Sequence, residues 1–458
     1  MINQNIKIVA LAEDQNLVLD VNSGSIHLFD NISTKALSKY LQQQDLETEE
    51  ELEAWQEIEE LIKEGSLLSV DNGILPKNIN HNIKSICLNV AHICNLACPY
   101  CFASGGNYKG AEALMTSEVG KKAIDFLFDN SLGRSIVEVD FFGGEPLLNF
   151  PLIKELVAYG EAVSKRKNMA IKWSMTTNGV LLDENISKFL VEHNIGTVLS
   201  IDGRKEIHDY NRYFKNHKGS FDVILSNYLE FKESTQDYVA RGTYTSRNLD
   251  FYKDVAYLKE LGFNHLSMEP VIGEKITMDD LPVIKESYQK LSELYLKWLK
   301  EGEPLDFFHF NIQLKGGPCI YKRITACGAG FEYLAITPTG DIYPCHQLIE
   351  DNNYLMGNIM EDTFNEDLAE VFLNTNIYTK DKCKRCWARF YCSGGCHSNN
   401  IKYGNGLNSP DELSCELQKL RLEAALYVQG KMLVEGLTAD SFKGSDIITK
   451  EKINDLLK

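Results

Sequence analysis

From Lys84 to about Glu301 the chain alternates strand-like and helix-like segments six times, and this constrains the fold more than any other feature. The strand candidates are SICLNV, SIVEVDFF, IKWSMT, TVLSID, VARGTYT and HLSMEP; between them lie helical patterns such as EVGKKAIDFLFDN, DENISKFLVEHN and LDFYKDVAYLKELG. Nearly continuous apolar strands separated by helices predict a parallel sheet with helices covering it, because parallel neighbours need long crossovers and bury both faces. Six repeats suit a doubly wound sheet or an incomplete barrel. In either one, reactive residues collect at the carboxyl ends of the strands.

The flanking regions have a different texture. Residues 1–82 read as a separate module: NLVLDVNSGSIHLF alternates apolar and polar residues around Asn22-Ser23-Gly24, a hairpin signal. A helix follows from Glu47 to Lys63, with Leu52, Trp55, Ile58, Leu61 and Ile62 at helical spacing, so a winged-helix-like fold is expected. Residues 83–304 hold the repeats. From 305 to 430 the chain is Gly-rich and Cys-rich with little apolar periodicity, which predicts that bound metal does part of the work of a core. A helical tail is expected over 431–458. The formal charge of −18 argues against nucleic acid as a partner. MINQNIKIVALAEDQN is unlike a signal peptide, and no stretch approaches the ~18 apolar residues of a membrane span. The expectation is a cytoplasmic protein with no membrane partner. In a reducing compartment the 12 cysteines then point to metal binding or catalysis rather than disulfides.

Cys94, Cys98 and Cys101 lie in AHICNLACPYCFASGG, on the loop after the first repeat strand. Three thiols cannot close a four-coordinate metal site, and a [4Fe-4S] cluster held by three thiolates leaves one iron for another ligand. The spacing C-x3-C-x2-C, with Tyr100 before the last cysteine and Phe102 after it, resembles the signature of radical S-adenosylmethionine (SAM) enzymes. That resemblance implies a partial (β/α)6 TIM-type barrel and SAM bound to the open iron. It also implies that Gly143, Gly144 and Glu145 of FFGGEP meet the SAM amino group, and that Asn178 of TTNG and Ser200 of SIDG contact its ribose or carboxylate. Arg212 of HDYNR is expected to form an ion pair near the site.

The later cysteines run Cys327-x12-Gly340-x4-Cys345, then Cys383-x2-Cys386-x5-Cys392-x3-Cys396, then Cys415. This resembles the SPASM extension of peptide-modifying radical SAM enzymes, which houses two auxiliary [4Fe-4S] clusters. The resemblance assigns Cys383, Cys386, Cys392 and Cys415 to one cluster, and Cys327, Cys345 and Cys396 to the other. Cys319 is a candidate fourth ligand for the second set; without it, a substrate thiolate can bind the open iron. Cys87, inside the first repeat strand, reads as a small buried apolar residue.

Nearly the whole chain resembles the maturases that form thioethers in ribosomally made Cys-rich peptides, the sactipeptide, ranthipeptide and six-cysteine peptide group. The resemblance implies an enzyme that cleaves SAM to a 5′-deoxyadenosyl radical and joins cysteine sulfur to carbon in a precursor peptide. It further implies that residues 1–82 recognise the leader, by strand addition at the hairpin edge, and that a flavodoxin or ferredoxin supplies electrons. The competing expectations are carbon–carbon crosslinking, assembly of a quinone cofactor, and formylglycine formation on a sulfatase. His346 stands where related sulfatase maturases carry an Asp, which weighs against the last. A non-enzymatic iron–sulfur electron carrier would not need the GGEP, TTNG and SIDG segments.

Overall fold

The computed structural model describes residues 5–71, 73, 82–235, 237–273, 276–312, 314 and 324–437. The chain divides into two compact units that interleave in sequence. One comprises Met1–Asn78, Thr277–Ala326 and Thr375–Ala439; the other comprises Ile79–Ile276 and Cys327–Asn374, together with Asp440–Lys458.

In the first unit, β1 (Ile6–Ala12), β2 (Gln15–Asp20) and β3 (Ile26–Phe29) form an antiparallel sheet in the order β1-β2-β3. The expected hairpin is thus β2-β3, with Leu19 opposite Ile26. Helices α1 (Asn31–Leu41) and α2 (Glu49–Lys63) follow, each opened by a side-chain cap, Asp30 on Ser33 N–H and Thr48 on Glu51 N–H. One apolar cluster joins Ile6, Val18 and Phe29 to Ala36, Leu37 and Ile58. A second, of Val9, Leu11, Leu17 and Leu19 with Leu426, lies under the long helix Glu412–Glu435. Both sides of β2 are therefore covered. In that helix Gly430 leaves room that a Cβ would take from Leu11 and Leu17. The same long helix packs on α9 (Leu281–Lys300).

The second unit holds all six expected strands: β4 (Ser85–Ala91), β5 (Ile136–Gly143), β6 (Ala170–Thr177), β7 (Ile195–Ser200), β8 (Tyr238–Tyr244) and β9 (His265–Pro270). Between them run α3 (Ser117–Asp129), α4 (Phe150–Lys167), α5 (Glu184–Glu192), α6 (Lys205–Asn211), α7 (Phe221–Ser234) and α8 (Tyr252–Glu260). Each strand pairs in parallel with the next in sequence. Uninterrupted sequential order has no switch point, so the sheet is singly wound and barrel-like rather than doubly wound. On the free side of β4 the strand Tyr333–Ile336 adds in parallel, and Asp341–Tyr343 and Gly357–Asn358 continue antiparallel. Burial alternates along β5 and β6: Val137, Val139, Phe141, Trp173 and Met175 are buried, and the residues between them sit on a half-open face. Among the described residues no helix is long and apolar enough to cross a membrane.

Candidate active site

The loop after β4 carries Cys94, Cys98 and Cys101, and backbone contacts stitch it to the turn after β5. Gly144 N–H donates to the Ala91 carbonyl at 2.7 Å, and Glu145 N–H donates to the Ile93 carbonyl at 2.9 Å. Glycine is required for this approach. Gly143 sits at φ 129, where a Cβ would strike the Ala91 carbonyl, and a Cβ on Gly144 would strike that of Ile93. Gly106, at the far end of the cysteine loop, has room for no Cβ between Gly144 and Cys94.

Glu145 is turned inward and is 1% exposed. Its carboxylate accepts from Thr177 Oγ1 at 2.7 Å, Asn178 N–H at 2.7 Å and Leu147 N–H at 3.1 Å, so it ties the turn after β5 to the turn after β6. Burial pushes its pKa up to about 7 against those three donors. Asn178 is thereby aimed at the cysteine loop, its Nδ2 at 2.7 Å from Asn95 Oδ1 and 3.7 Å from Cys94 Sγ. Ser200 ends β7; its carbonyl and that of Thr177 both face the Tyr228 hydroxyl, at 3.4 and 3.0 Å.

Asp202, two residues beyond Ser200, organises the other side and is fully buried. It accepts from the Tyr100 hydroxyl at 2.8 Å, Arg212 Nε at 3.0 Å, and Thr243 through N–H at 2.9 Å and Oγ1 at 3.0 Å. The Arg212 guanidinium also lies over the Tyr100 ring, 5.5 Å from its centre. Burial acts against the Arg212 charge, but Asp202 more than offsets it. His208, fully buried beside this network, is pushed down to about 4 by burial, so the neutral ring accepts from Asp202 N–H at 3.3 Å. Phe102 lies against Phe142, Tyr108 and His346.

Burial raises Cys94 to about 11 and Cys98 to about 12; Cys101 adds to the rise at both, and Cys94 to that at Cys98. A pocket that penalises free thiolates this strongly suits them once a cation balances their charge. Among the described residues no three His, Cys, Asp or Glu side chains converge closely enough for a single metal ion.

In the first unit, Cys383, Cys386, Cys392 and Cys415 line one cavity together with Lys419, Arg385 and Trp387. Burial raises Cys383 to about 11 and Cys415 to about 12, and Lys419 acts on Cys415 in the opposite sense. Four thiols from two segments with a cation at the wall fit an iron–sulfur cluster. Cys396 belongs to this unit, Cys327 and Cys345 to the other, and Cys319 lies outside the described residues.

Two residues that organise this site, Asp202 and Thr243, were not singled out from sequence. Asp202 stands inside SIDG, so the signal was present, but its partners come from three separate loops and strands.

Comparison with known proteins agrees with this geometry. Residues 88–244 match the Radical SAM superfamily, and residues 327–387 match SPASM, an iron–sulfur cluster-binding domain. The chain is 28% identical over 351 residues to a cysteine-type anaerobic sulfatase-maturating enzyme of Clostridium novyi (strain NT), covering 70% of this chain and 90% of that protein. It is 30% identical over 319 residues to uncharacterized protein MJ0907 of Methanocaldococcus jannaschii, covering 67% and 96%. The solved structure "Native anSMEcpe with bound AdoMet and Kp18Cys peptide" shares the fold, with a TM-score of 0.63 at 22% identity over 77% of this chain and 98% of that one. The chain belongs to the radical SAM superfamily and carries a SPASM-type iron–sulfur domain. It is an enzyme whose cofactors are SAM and [4Fe-4S] clusters.

Proposed function

We propose that this radical SAM, SPASM-type enzyme modifies a ribosomally made Cys-rich precursor peptide by joining cysteine sulfur to carbon. The observation that carries the reading is the pairing of two thiol sets of different kind. One is a three-thiol loop pressed against a glycine turn, and the other is a cavity lined by four thiols. The first suits a cluster with an open iron, the second a closed one that passes electrons. When bound, SAM supplies a 5′-deoxyadenosyl radical able to remove hydrogen from unactivated carbon.

In this reading Cys94, Cys98 and Cys101 hold the SAM cluster. The segment Gly143, Gly144 and Glu145 would meet the SAM amino group, with the Glu145 carboxylate holding the turn through Leu147, Thr177 and Asn178. Asn178 and Ser200 contact the ribose or carboxylate, Arg212 serves the site through its ion pair with Asp202, and Tyr100 and Phe102 wall the cluster loop. Cys383, Cys386, Cys392 and Cys415 hold one auxiliary cluster. The resemblance to the SPASM pattern assigns Cys327, Cys345 and Cys396 to the other, with Cys319 as a candidate ligand. A flavodoxin or ferredoxin is the expected donor. The leader peptide adds to the outer edge of β3, where Leu28 is 48% exposed; main-chain hydrogen bonds there supply affinity without demanding one sequence.

The Clostridium novyi relative favours a second reading, formylglycine formation. One assay separates the two. The anaerobically reconstituted enzyme is given dithionite, SAM and a Cys-rich precursor, and the peptide is weighed and alkylated. Loss of two hydrogens per crosslink, with the cysteines blocked to alkylation, is the expected result. Loss of sulfur from a cysteine with gain of oxygen would establish formylglycine instead, and hydrogen loss with every thiol still alkylatable would establish carbon–carbon bonding.

A further inference from the structure

The face of β5 opposite Val137, Val139 and Phe141 carries Glu138, Asp140 and Phe142. Phe142 packs beside Phe102 of the cysteine loop, with ring centres 6.2 Å apart, and Asp140 is the next residue along the same face. The register places Cys87 of β4 on one side of Asp140 and Ser174 of β6 on the other. The Ser174 hydroxyl donates to Asp140 Oδ1 at 2.9 Å. The Cys87 thiol, fully buried, lies within hydrogen-bonding reach of both Asp140 and the Tyr333 hydroxyl.

Two buried polar atoms on this wall have no hydrogen-bond partner among the described residues. One is the Tyr108 hydroxyl, which Cys87, Cys101 and Asp140 all influence; the other is Asn89 Oδ1, two residues from Cys87 on the same face of β4. Asp140 itself is only half-buried. Orphaned polar atoms beside a positioned carboxylate mark a wall built to meet a ligand, since a closed core pairs such groups internally.

We propose that Asp140 accepts the thiol proton of the peptide cysteine as the carbon–sulfur bond forms, with Ser174 and Cys87 holding its carboxylate in place. This rests on the thioether reading above. Forming the bond removes a hydrogen atom from a peptide carbon and a proton from a peptide thiol, joins carbon to sulfur, and releases one electron. The hydrogen atom leaves as the C–H of 5′-deoxyadenosine, from SAM cleaved by one electron of the external reductant. The released electron passes to an oxidised iron–sulfur cluster, and the proton goes to Asp140.

The surroundings suit that role. Burial raises Asp140 to about 6, with Ser174, Cys87 and the Arg241 charge acting to lower it. Its conjugate base is therefore present at neutral pH yet stronger than an ordinary carboxylate, and better matched to a thiol. The groups facing it are Cys87 from β4, Ser174 from β6, Arg241 from β8 and Tyr108 from the cysteine loop, with Tyr333 beyond Cys87. Arg241 is the cation among them.

The test uses the reconstituted holoenzyme with SAM, dithionite and precursor peptide, and reads 5′-deoxyadenosine and crosslinks together from pH 5 to 9. Wild-type crosslinking is measured first; if no thioether forms, the thioether reading fails and the proposal with it. Given wild-type thioether, Asp140→Asn should raise the ratio of 5′-deoxyadenosine to crosslink at least ~10-fold, because abstraction outruns bond formation, and Asp140→Glu should recover part of the coupling. Ser174→Ala should move the acid limb of the crosslinking rate to higher pH, since the carboxylate loses a donor. An Asp140→Asn ratio equal to that of wild type, or a Ser174→Ala profile that does not move, overturns the assignment while leaving thioether formation standing.

Discussion

Asp202 and Glu145 do comparable work on opposite sides of the cysteine loop, each spending a buried carboxylate on donors from other segments. Asp202 takes Tyr100, Arg212 and Thr243; Glu145 takes Leu147, Thr177 and Asn178. Glu145→Ala leaves three buried donors without an acceptor, and an urea titration should show a loss of about 3 kcal/mol or more. Glu145 also sets a pH dependence. Its folded pKa, about 7, lies above the ordinary 4.5. The stability it contributes is full below pH 4.5 and is lost as pH rises through about 7. Between pH 5 and pH 8 the wild type should therefore lose about 2–3 kcal/mol relative to Glu145→Gln, read from paired urea titrations of the SAM-free holoenzyme. An equal slope in both proteins would show that the buried carboxyl stays ionised throughout. The motif residues were legible in sequence because they sit at strand ends in a known order. Asp202, Thr243 and Asp140 were not, because what distinguishes them is their neighbours on other strands.

Among the elements, the six parallel strands appear where alternation of apolar runs placed them, since a strand buried on its outer face keeps its pattern whatever its partner. Helix α2 shows the limit of that logic. Ile58 of its apolar stripe is buried, but Leu52 is 51% exposed. The buried position two turns before Ile58 is instead Glu51, 2% exposed, paired with Lys35 and Lys39 and held at about 2 by the Glu47 N–H and those lysines. A buried ion pair rotates the helix relative to its hydrophobic reading. Trp55, from the same stripe, stacks on Tyr40 of α1 at 4.2 Å. Strand β3 offers the test at this scale. Leu28→Asp on its exposed side should weaken binding of a fluorescent leader peptide about tenfold while moving Tm by less than about 2 °C. Unchanged leader affinity would remove β3 as the docking edge.

For the molecule as a whole, the two units draw on alternating parts of the chain, and within the continuous stretch Thr375–Ala439 of the first the four-thiol cavity gathers Cys383, Cys386 and Cys392 with Cys415 from the start of the long helix. Cys392→Ser should lower the iron content of the reconstituted protein by about four atoms per chain, and leave the charge-transfer spectrum of the SAM cluster intact. Full iron loading in that variant would mean these thiols hold no cluster. The sequence by itself determined the parallel α/β repeat, the cysteine spacings and the strand-end segments, because each is a local or short-range pattern that strand and loop geometry reads directly. Only the tertiary structure decided that the sheet is singly wound, that Asp202 and Glu145 face inward to anchor the loops, and that Cys87, Asp140 and Ser174 share one row. Those facts depend on which strands become neighbours and in what register, and register is a property of the assembled sheet that no single segment carries.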